Sequence, residues 1–81
     1  MDSKDIDFVN ELIKHGMLPL YLVGLISADN IDSKETWQKN HERIIKLKNC
    51  LEIVDFDDKS KYLEKINEGI EIIERELKKH D

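Results

Sequence analysis

The chain has 81 residues, of which 40% are apolar and 38% are charged, with 13 Lys and Arg against 18 Asp and Glu, for a net charge of −5. A chain of this length forms a single domain with a thin core, so we expect one domain over residues 1–81. Its apolar content is too high for a disordered protein. Three Gly and one Pro are too few for a turn-rich all-β fold. The composition therefore predicts a small acidic all-α domain.

The sequence also predicts the cellular compartment of the protein. The single cysteine, Cys50, excludes an internal disulfide. The longest apolar stretch covers residues 17–26, whereas a transmembrane helix needs about 20 residues. The first five residues are acidic and polar where a signal peptide would be basic. We therefore expect a cytoplasmic protein without a membrane span. The abundance of Ile, Lys, Asn, Glu and Asp suggests a bacterial or phage origin.

The first predicted helix runs from Ser3 to His15. Its apolar residues recur at helical spacing and form one face. They are Ile6, Phe8, Val9, Leu12 and Ile13. Gly16, directly after this helix, is an ordinary stop signal.

The second predicted helix carries no charged residue on any side. Pro19 suits its first position, and Asp29 or Asn30 is expected to end it. A helix that is apolar all round either is buried at the centre of a monomeric bundle or leaves a contact surface for a second copy or another protein. The residues of this predicted interaction surface are Leu20, Tyr21, Leu22, Val23, Leu25 and Ile26.

The third predicted helix begins at Asp32, which can cap it and form a capping box with Glu35. Its apolar seam follows a coiled-coil-like spacing, with Asn40 in one polar slot. The seam consists of Trp37, Ile44, Leu47, Leu51 and Val54, and it is broadened by Ile45 and Ile53.

A connection over Asp55–Lys59 leads to the fourth predicted helix, which Asp57 or Asp58 is expected to cap. Gly69 in its middle indicates a close helix crossing. Its seam consists of Leu63, Ile66, Ile70, Ile73 and Leu77.

Two long seams joined by a short connection predict an antiparallel hairpin, on which the two shorter N-terminal helices pack. The residues expected to be least exposed are Leu47, Leu51, Ile66, Ile70 and Ile73.

No arrangement of residues predicts catalysis, a metal site or a cofactor. None of the three histidines has an acid three residues before it, the spacing that helical metal sites use. His15 is more simply a helix-end partner of Glu11. Cys50 has no adjacent base or electropositive niche in the sequence, so it is expected to be a half-buried structural thiol. The sequence therefore predicts a protein that is not an enzyme.

Residues 33–50 carry five Lys and Arg against two Glu. Lys39, Arg43 and Lys46 follow helical spacing and form a stripe that could contact phosphates, although the acidity of the whole chain opposes this. Because the second helix is apolar on all sides, we expect a protein–protein interaction role, as an adaptor, an inhibitor or an antitoxin-like regulator, with a homodimer as one form of it. The alternative is a nucleic-acid-binding regulator that uses this stripe.

Overall fold

A computed structural model describes residues 3–27 and 33–80, and these residues form four α-helices without a strand. The helices are α1 (Ser3–Lys14), α2 (Leu18–Ile26), α3 (Lys34–Ile53) and α4 (Lys59–Lys79). α3 and α4 form the most extensive packing as an antiparallel hairpin, and α1 and α2 lie on it. The predicted all-α architecture is confirmed. Within the described ranges, no helix has the length and apolar character needed to cross a bilayer.

α1 ends in a tight turn that depends on Gly16. This residue has a φ angle of 67°, in the left-handed region that glycine adopts without strain. The N–H of Gly16 donates to the carbonyl of Ile13 at 3.2 Å, and the N–H of Met17 donates to the carbonyl of Leu12 at 2.8 Å. These two bonds form a Schellman motif, which satisfies the last carbonyls of α1 and starts α2 almost immediately.

The bounds of α2 differ from the predicted ones. Pro19 lies in the first turn of α2 but follows Leu18, the first helical residue. α2 ends at Ile26, while the predicted end at Asp29 or Asn30 falls on residues outside the described ranges.

The N-cap of α3 is Ser33, so the prediction of Asp32, which lies outside the described ranges, was wrong. Ser33 has an extended backbone conformation, and its hydroxyl accepts a hydrogen bond from the N–H of Thr36 at 3.1 Å. Both Ser and Asp can cap a helix. The helix begins at Lys34, so the residue directly before it, Ser33, occupies the N-cap position.

The connection between α3 and α4 is held by Lys59. Its Nζ donates to the carbonyl of Glu52 at 3.0 Å and lies 3.8 Å from Oδ1 of Asp55. Asp58 occupies the N-cap position of α4, as predicted, but its side chain makes no capping bond and its φ angle is 63°. A lysine from the next helix therefore fastens the end of α3, while the expected carboxylate cap is not formed.

The core lies between the hairpin and the two shorter helices. Its fully buried side chains are Trp37, Ile44, Cys50, Leu51, Ile66 and Ile73. Two predictions were wrong: Ile70 packs against the core but is only partly buried, so it is not among the least exposed residues, and Ile53, expected to broaden the α3 seam, is 57% exposed. Ile70 lies at the edge of the buried stripe of α4, because α4 turns Gly69 towards the other helices at its closest approach. Ile53 follows the buried Ile44 by nine residues, which places it on the opposite side of α3.

The predicted crossing at Gly69 is confirmed. A Cβ atom at this position would lie 2.9 Å from Cδ1 of Ile44 and 3.0 Å from Cγ2 of Ile26. These distances are shorter than van der Waals contact, so α2, α3 and α4 meet where α4 has no side chain.

Candidate functional site

The structure divides the predicted interaction residues of α2 into an inner and an outer group. Leu22 and Leu25 are buried in the core, and Tyr21 and Ile26 are partly buried at the sides. By contrast, Leu20 is 71% exposed and Val23 is 59% exposed. α2 is therefore neither central nor fully covered, since the short α1 and the hairpin shield only one side and its edges.

Asn40 forms a buried hydrogen bond with the C-terminal end of α2. Its side chain is buried, and Nδ2 donates to the carbonyl of Leu25 at 3.2 Å. That carbonyl belongs to the last turn of α2, where carbonyls lack a partner within the helix. The polar slot in the α3 seam thus holds the C-terminal end of α2 against α3.

We define the outer face of α2 as Met17, Leu20 and Val23. Met17 is 50% exposed and directly precedes the helix. α2 itself contains no charged residue. Gly24 lies beside this face, and a Cβ atom there would meet no other atom within 4 Å. The outer face is therefore apolar and open to a partner.

A groove lies on one flank of α2, between α1, α2 and α3, and we call it the α1–α3 groove. Its volume is about 220 Å³. It is lined by Asp5, Phe8, Val9, Tyr21, Arg43, Lys46, Leu47 and Cys50. The rings of Phe8 and Tyr21 meet edge to face at 5.3 Å between centroids, and Phe8 is 47% exposed. The groove therefore combines an apolar lining with two cations.

The predicted basic stripe is exposed along α3, but its members have different surroundings. Arg43 and Lys46 line the α1–α3 groove, whereas Lys39 does not. Tyr21, which belongs to the predicted apolar surface, lines the same groove. The fold thus brings together residues from the two sites that sequence analysis treated as alternatives.

The electrostatics of the groove follow from burial and from these charges. Burial raises the pKa of the Tyr21 hydroxyl, and the nearby charge of Arg43 partly offsets this rise. Burial also raises the pKa of the Cys50 thiol, and the carboxylate of Asp5 raises it further. Cys50 is fully buried rather than half-buried as predicted. Its protonated thiol is a poor nucleophile, because the thiolate is the reactive form.

A second groove follows the opposite flank of α2, against α4. Its lining includes Val23 and Ile26 from α2 and Tyr62, Gly69 and Ile72 from α4. Lys65 and Glu68 lie beside it with opposite charges, so this flank has no net charge preference. Of these two grooves, the α1–α3 groove is the one whose lining holds more cations than carboxylates.

The histidine and metal predictions concern other parts of the surface. Nε2 of His15 lies 3.0 Å from Oε2 of Glu11, the helix-end pair that the sequence indicated. Across the described ranges, no three His, Cys, Asp or Glu side chains gather into a group that could hold a metal ion.

Two residues of this region were missed by sequence analysis. Phe8 was assigned to the apolar face of the first helix, and Met17 was noted only as the start of the longest apolar stretch. Helical periodicity places Phe8 near the buried Val9 and Leu12, but it does not specify how much of the edge of that face the other helices cover. Comparisons with protein-family models, curated proteins and solved structures find no match.

Proposed function

We propose that this chain is a non-catalytic cytoplasmic protein that acts by binding another protein through the outer face of α2, as an adaptor, inhibitor or antitoxin-like regulator. The observation that carries this proposal is the exposure of Met17, Leu20 and Val23 on a helix without a charged residue. Isolated apolar side chains are common on protein surfaces, whereas a contiguous apolar face marks a contact surface.

The cost of leaving this face in water supports the same proposal. The three side chains expose roughly 300 Å² of apolar area, which corresponds to about 7.5 kcal/mol at 25 cal/mol per Å². Much of this free energy is offset on association by lost translational and rotational freedom. Covering the face is therefore favourable, but it does not by itself produce tight binding.

A homodimer through the outer face alone is the weaker form of the proposal. A stable interface of standard size buries about 800 Å² on each partner, well above the area of this face. Two copies also repel each other, since each carries a net charge of −5. A different protein can extend the contact onto the neighbouring groove and carry an opposite charge.

Nucleic-acid binding through Lys39, Arg43 and Lys46 is the second candidate. The exposure of all three cations on α3 favours it. The net charge of −5 opposes it, and the outer face of α2 offers phosphates no cation. We rank it below protein binding for these reasons.

The experiment compares the wild-type chain with Leu20→Ser/Val23→Ser. Both side chains are largely outside the core, so circular dichroism and the melting temperature should change little. Ile53→Ser is the matched control, because Ile53 is 57% exposed on α3 and lies outside the outer face. We expect the double variant, and not the control, to lose most of the fluorescence enhancement of a hydrophobic dye.

The same three chains then serve as paired baits for affinity capture. A protein retained by the wild type and the control but lost by the double variant supports the proposal. Light scattering over about a hundredfold dilution tests for a homodimer through its concentration dependence. Dye binding and capture that are both insensitive to Leu20 and Val23 would contradict the proposed function.

A further inference from the structure

We infer that the α1–α3 groove binds an acidic amphipathic segment of the partner protein, with an apolar side chain in the groove and carboxylates on Arg43 and Lys46. This inference rests on the proposed function, and it adds the chemistry of the partner. It is carried by the juxtaposition of aromatic side chains and cations in one concave site next to the outer face of α2.

The apolar part of the site is large enough for one side chain of the partner. The groove volume is about 220 Å³, and Phe8, Tyr21 and Leu47 supply apolar atoms to its lining. An open groove of this kind accepts a Leu, Phe or Trp anchor, the type of residue that dominates binding energy at protein interfaces.

The charged part of the site selects the sign of the partner. Arg43 and Lys46 lie one turn apart on α3, and both are exposed. Asp5 is the acidic residue of the lining, so the cations outnumber it. Because the whole chain is acidic, this groove is a local exception, and a carboxylate beside the anchor gains from both cations.

The groove and the outer face form one surface. Tyr21 lines the groove, and Met17 lies four residues before it, on the same side at helical spacing. Leu20 continues the surface towards Val23. A partner helix with apolar residues at positions i, i+3, i+4 and i+7 can cover both parts, which adds the area that the outer face alone lacks.

A nucleic acid fits this combined surface less well. Bases can stack on Phe8 and Tyr21, and phosphates can contact Arg43 and Lys46. However, Met17, Leu20 and Val23 offer neither a cation nor an aromatic ring, and a phosphate backbone gains nothing by covering aliphatic side chains. A protein segment uses the whole surface.

The test begins with selection from a displayed library of random peptides of about 16 residues on the immobilised full-length chain. We expect the enriched peptides to carry Asp or Glu within one helical turn of Leu, Phe or Trp. Synthetic copies of the enriched peptides are then titrated by fluorescence anisotropy. The Kd should rise as salt increases from about 50 to 500 mM, because salt screens exposed charges.

Charge reversal locates the binding site. Arg43→Glu/Lys46→Glu should raise the Kd roughly tenfold or more, and a peptide with Lys in place of its Glu residues should recover binding to this variant. The matched control is Arg75→Glu/Lys61→Glu, which exchanges the same residue types on exposed positions of α4. This control should change the Kd by less than about threefold.

Several results would overturn the inference. They are a selection without enriched peptides, enriched peptides without an acidic bias, and a Kd that neither salt nor reversal at Arg43 and Lys46 changes. Tight binding of a labelled oligonucleotide or an anionic vesicle that Arg43→Glu/Lys46→Glu abolishes would also overturn it, as would a homodimer that this variant dissociates. If binding depends on Leu20 and Val23 but not on the cations, the inference fails while the proposed function stands.

Discussion

Asn40 holds the C-terminal end of α2 through a single buried hydrogen bond. Within the described ranges it is the buried polar side chain, at 4% exposure, and it donates to the carbonyl of Leu25. Rotation of α2 about its axis would break this bond. It would then cost free energy, because a buried carbonyl would be left without a donor. Asn40 therefore helps to keep the apolar outer face turned towards solvent.

Replacement of Asn40 by Ala should lower the free energy of unfolding by about 1–3 kcal/mol, because it leaves the Leu25 carbonyl unsatisfied. Asn49→Ala in the same helix is the control, since Asn49 is exposed, and its effect should stay within about 0.5 kcal/mol. Urea unfolding followed by the fluorescence of Trp37 measures both values. Equal effects would show that the hydrogen bond to α2 contributes nothing.

Ile73 and Ile70 provide a second comparison at this scale. Ile73 is fully buried, whereas Ile70 is only partly buried. Ile73→Ala should cost about 2–5 kcal/mol, most of the roughly 5 kcal/mol available to a small domain. Ile70→Ala should cost clearly less. A larger loss at Ile70, measured by the same urea unfolding, would mean that α4 packs with a different face.

At the scale of elements, the contrast between α2 and α4 explains what the sequence could predict. The inner face of α4 was evident because apolar residues recur at helical spacing with mostly charged residues between them. These apolar residues include Leu63, Ile66, Ile73 and Leu77. α2 has no polar side, and its pattern therefore gave no indication of which side faces solvent. The partner carbonyl of Asn40 supplies that information, and it lies 15 residues away in the chain.

The two helical glycines should respond to alanine in opposite directions. Gly69→Ala gains about 1 kcal/mol of helix propensity, but its Cβ would overlap Ile44 and Ile26, and overpacking costs about 1–3 kcal/mol. We therefore expect a lower melting temperature. Gly24→Ala meets open space and should raise the melting temperature, with a gain of up to about 1 kcal/mol. A higher melting temperature for Gly69→Ala would contradict the crossing.

At the scale of the whole molecule, the hairpin was predictable because both of its seams are long and its connection is short. The α1–α3 groove was not, since it joins residues from three helices. Phe8, Tyr21 and Arg43 are separated by 13 and 22 positions in the sequence. Tyr21 and Arg43 were therefore predicted separately, as members of competing hypotheses, and their spacing does not indicate that they are neighbours.

Two groups that line the groove, the partly buried Tyr21 and the buried Cys50, are expected to make the stability of the molecule sensitive to alkali. Tyr21 and Cys50 both have raised pKa values in the folded state, mainly through burial. The folded chain therefore holds these protons more tightly than the unfolded chain. The resulting stabilisation is complete below the ordinary pKa values and is lost as the pH rises through the folded ones.

We expect the urea midpoint to fall as the pH rises above about 9, where thiols and phenols begin to ionise. Tyr21→Phe and Cys50→Ala cannot ionise at these positions, so each should make the midpoint less dependent on pH. Tyr62→Phe is the control, because it removes a phenol outside the α1–α3 groove. A pH dependence that Tyr21→Phe and Cys50→Ala leave unchanged would assign the alkaline sensitivity to other groups.

The left-handed turn at Gly16 has a consequence for chirality. At a φ angle of 67°, an L-alanine is strained, whereas a D-alanine is in its own favoured region. Chemical synthesis of the chain with D-alanine at position 16 should therefore raise its stability by about 0.4–1 kcal/mol, since the unfolded chain loses more freedom than the folded one. The L-alanine variant should be less stable than the wild type. Thermal melts of the two stereoisomers, identical in composition, isolate the handedness of this single turn.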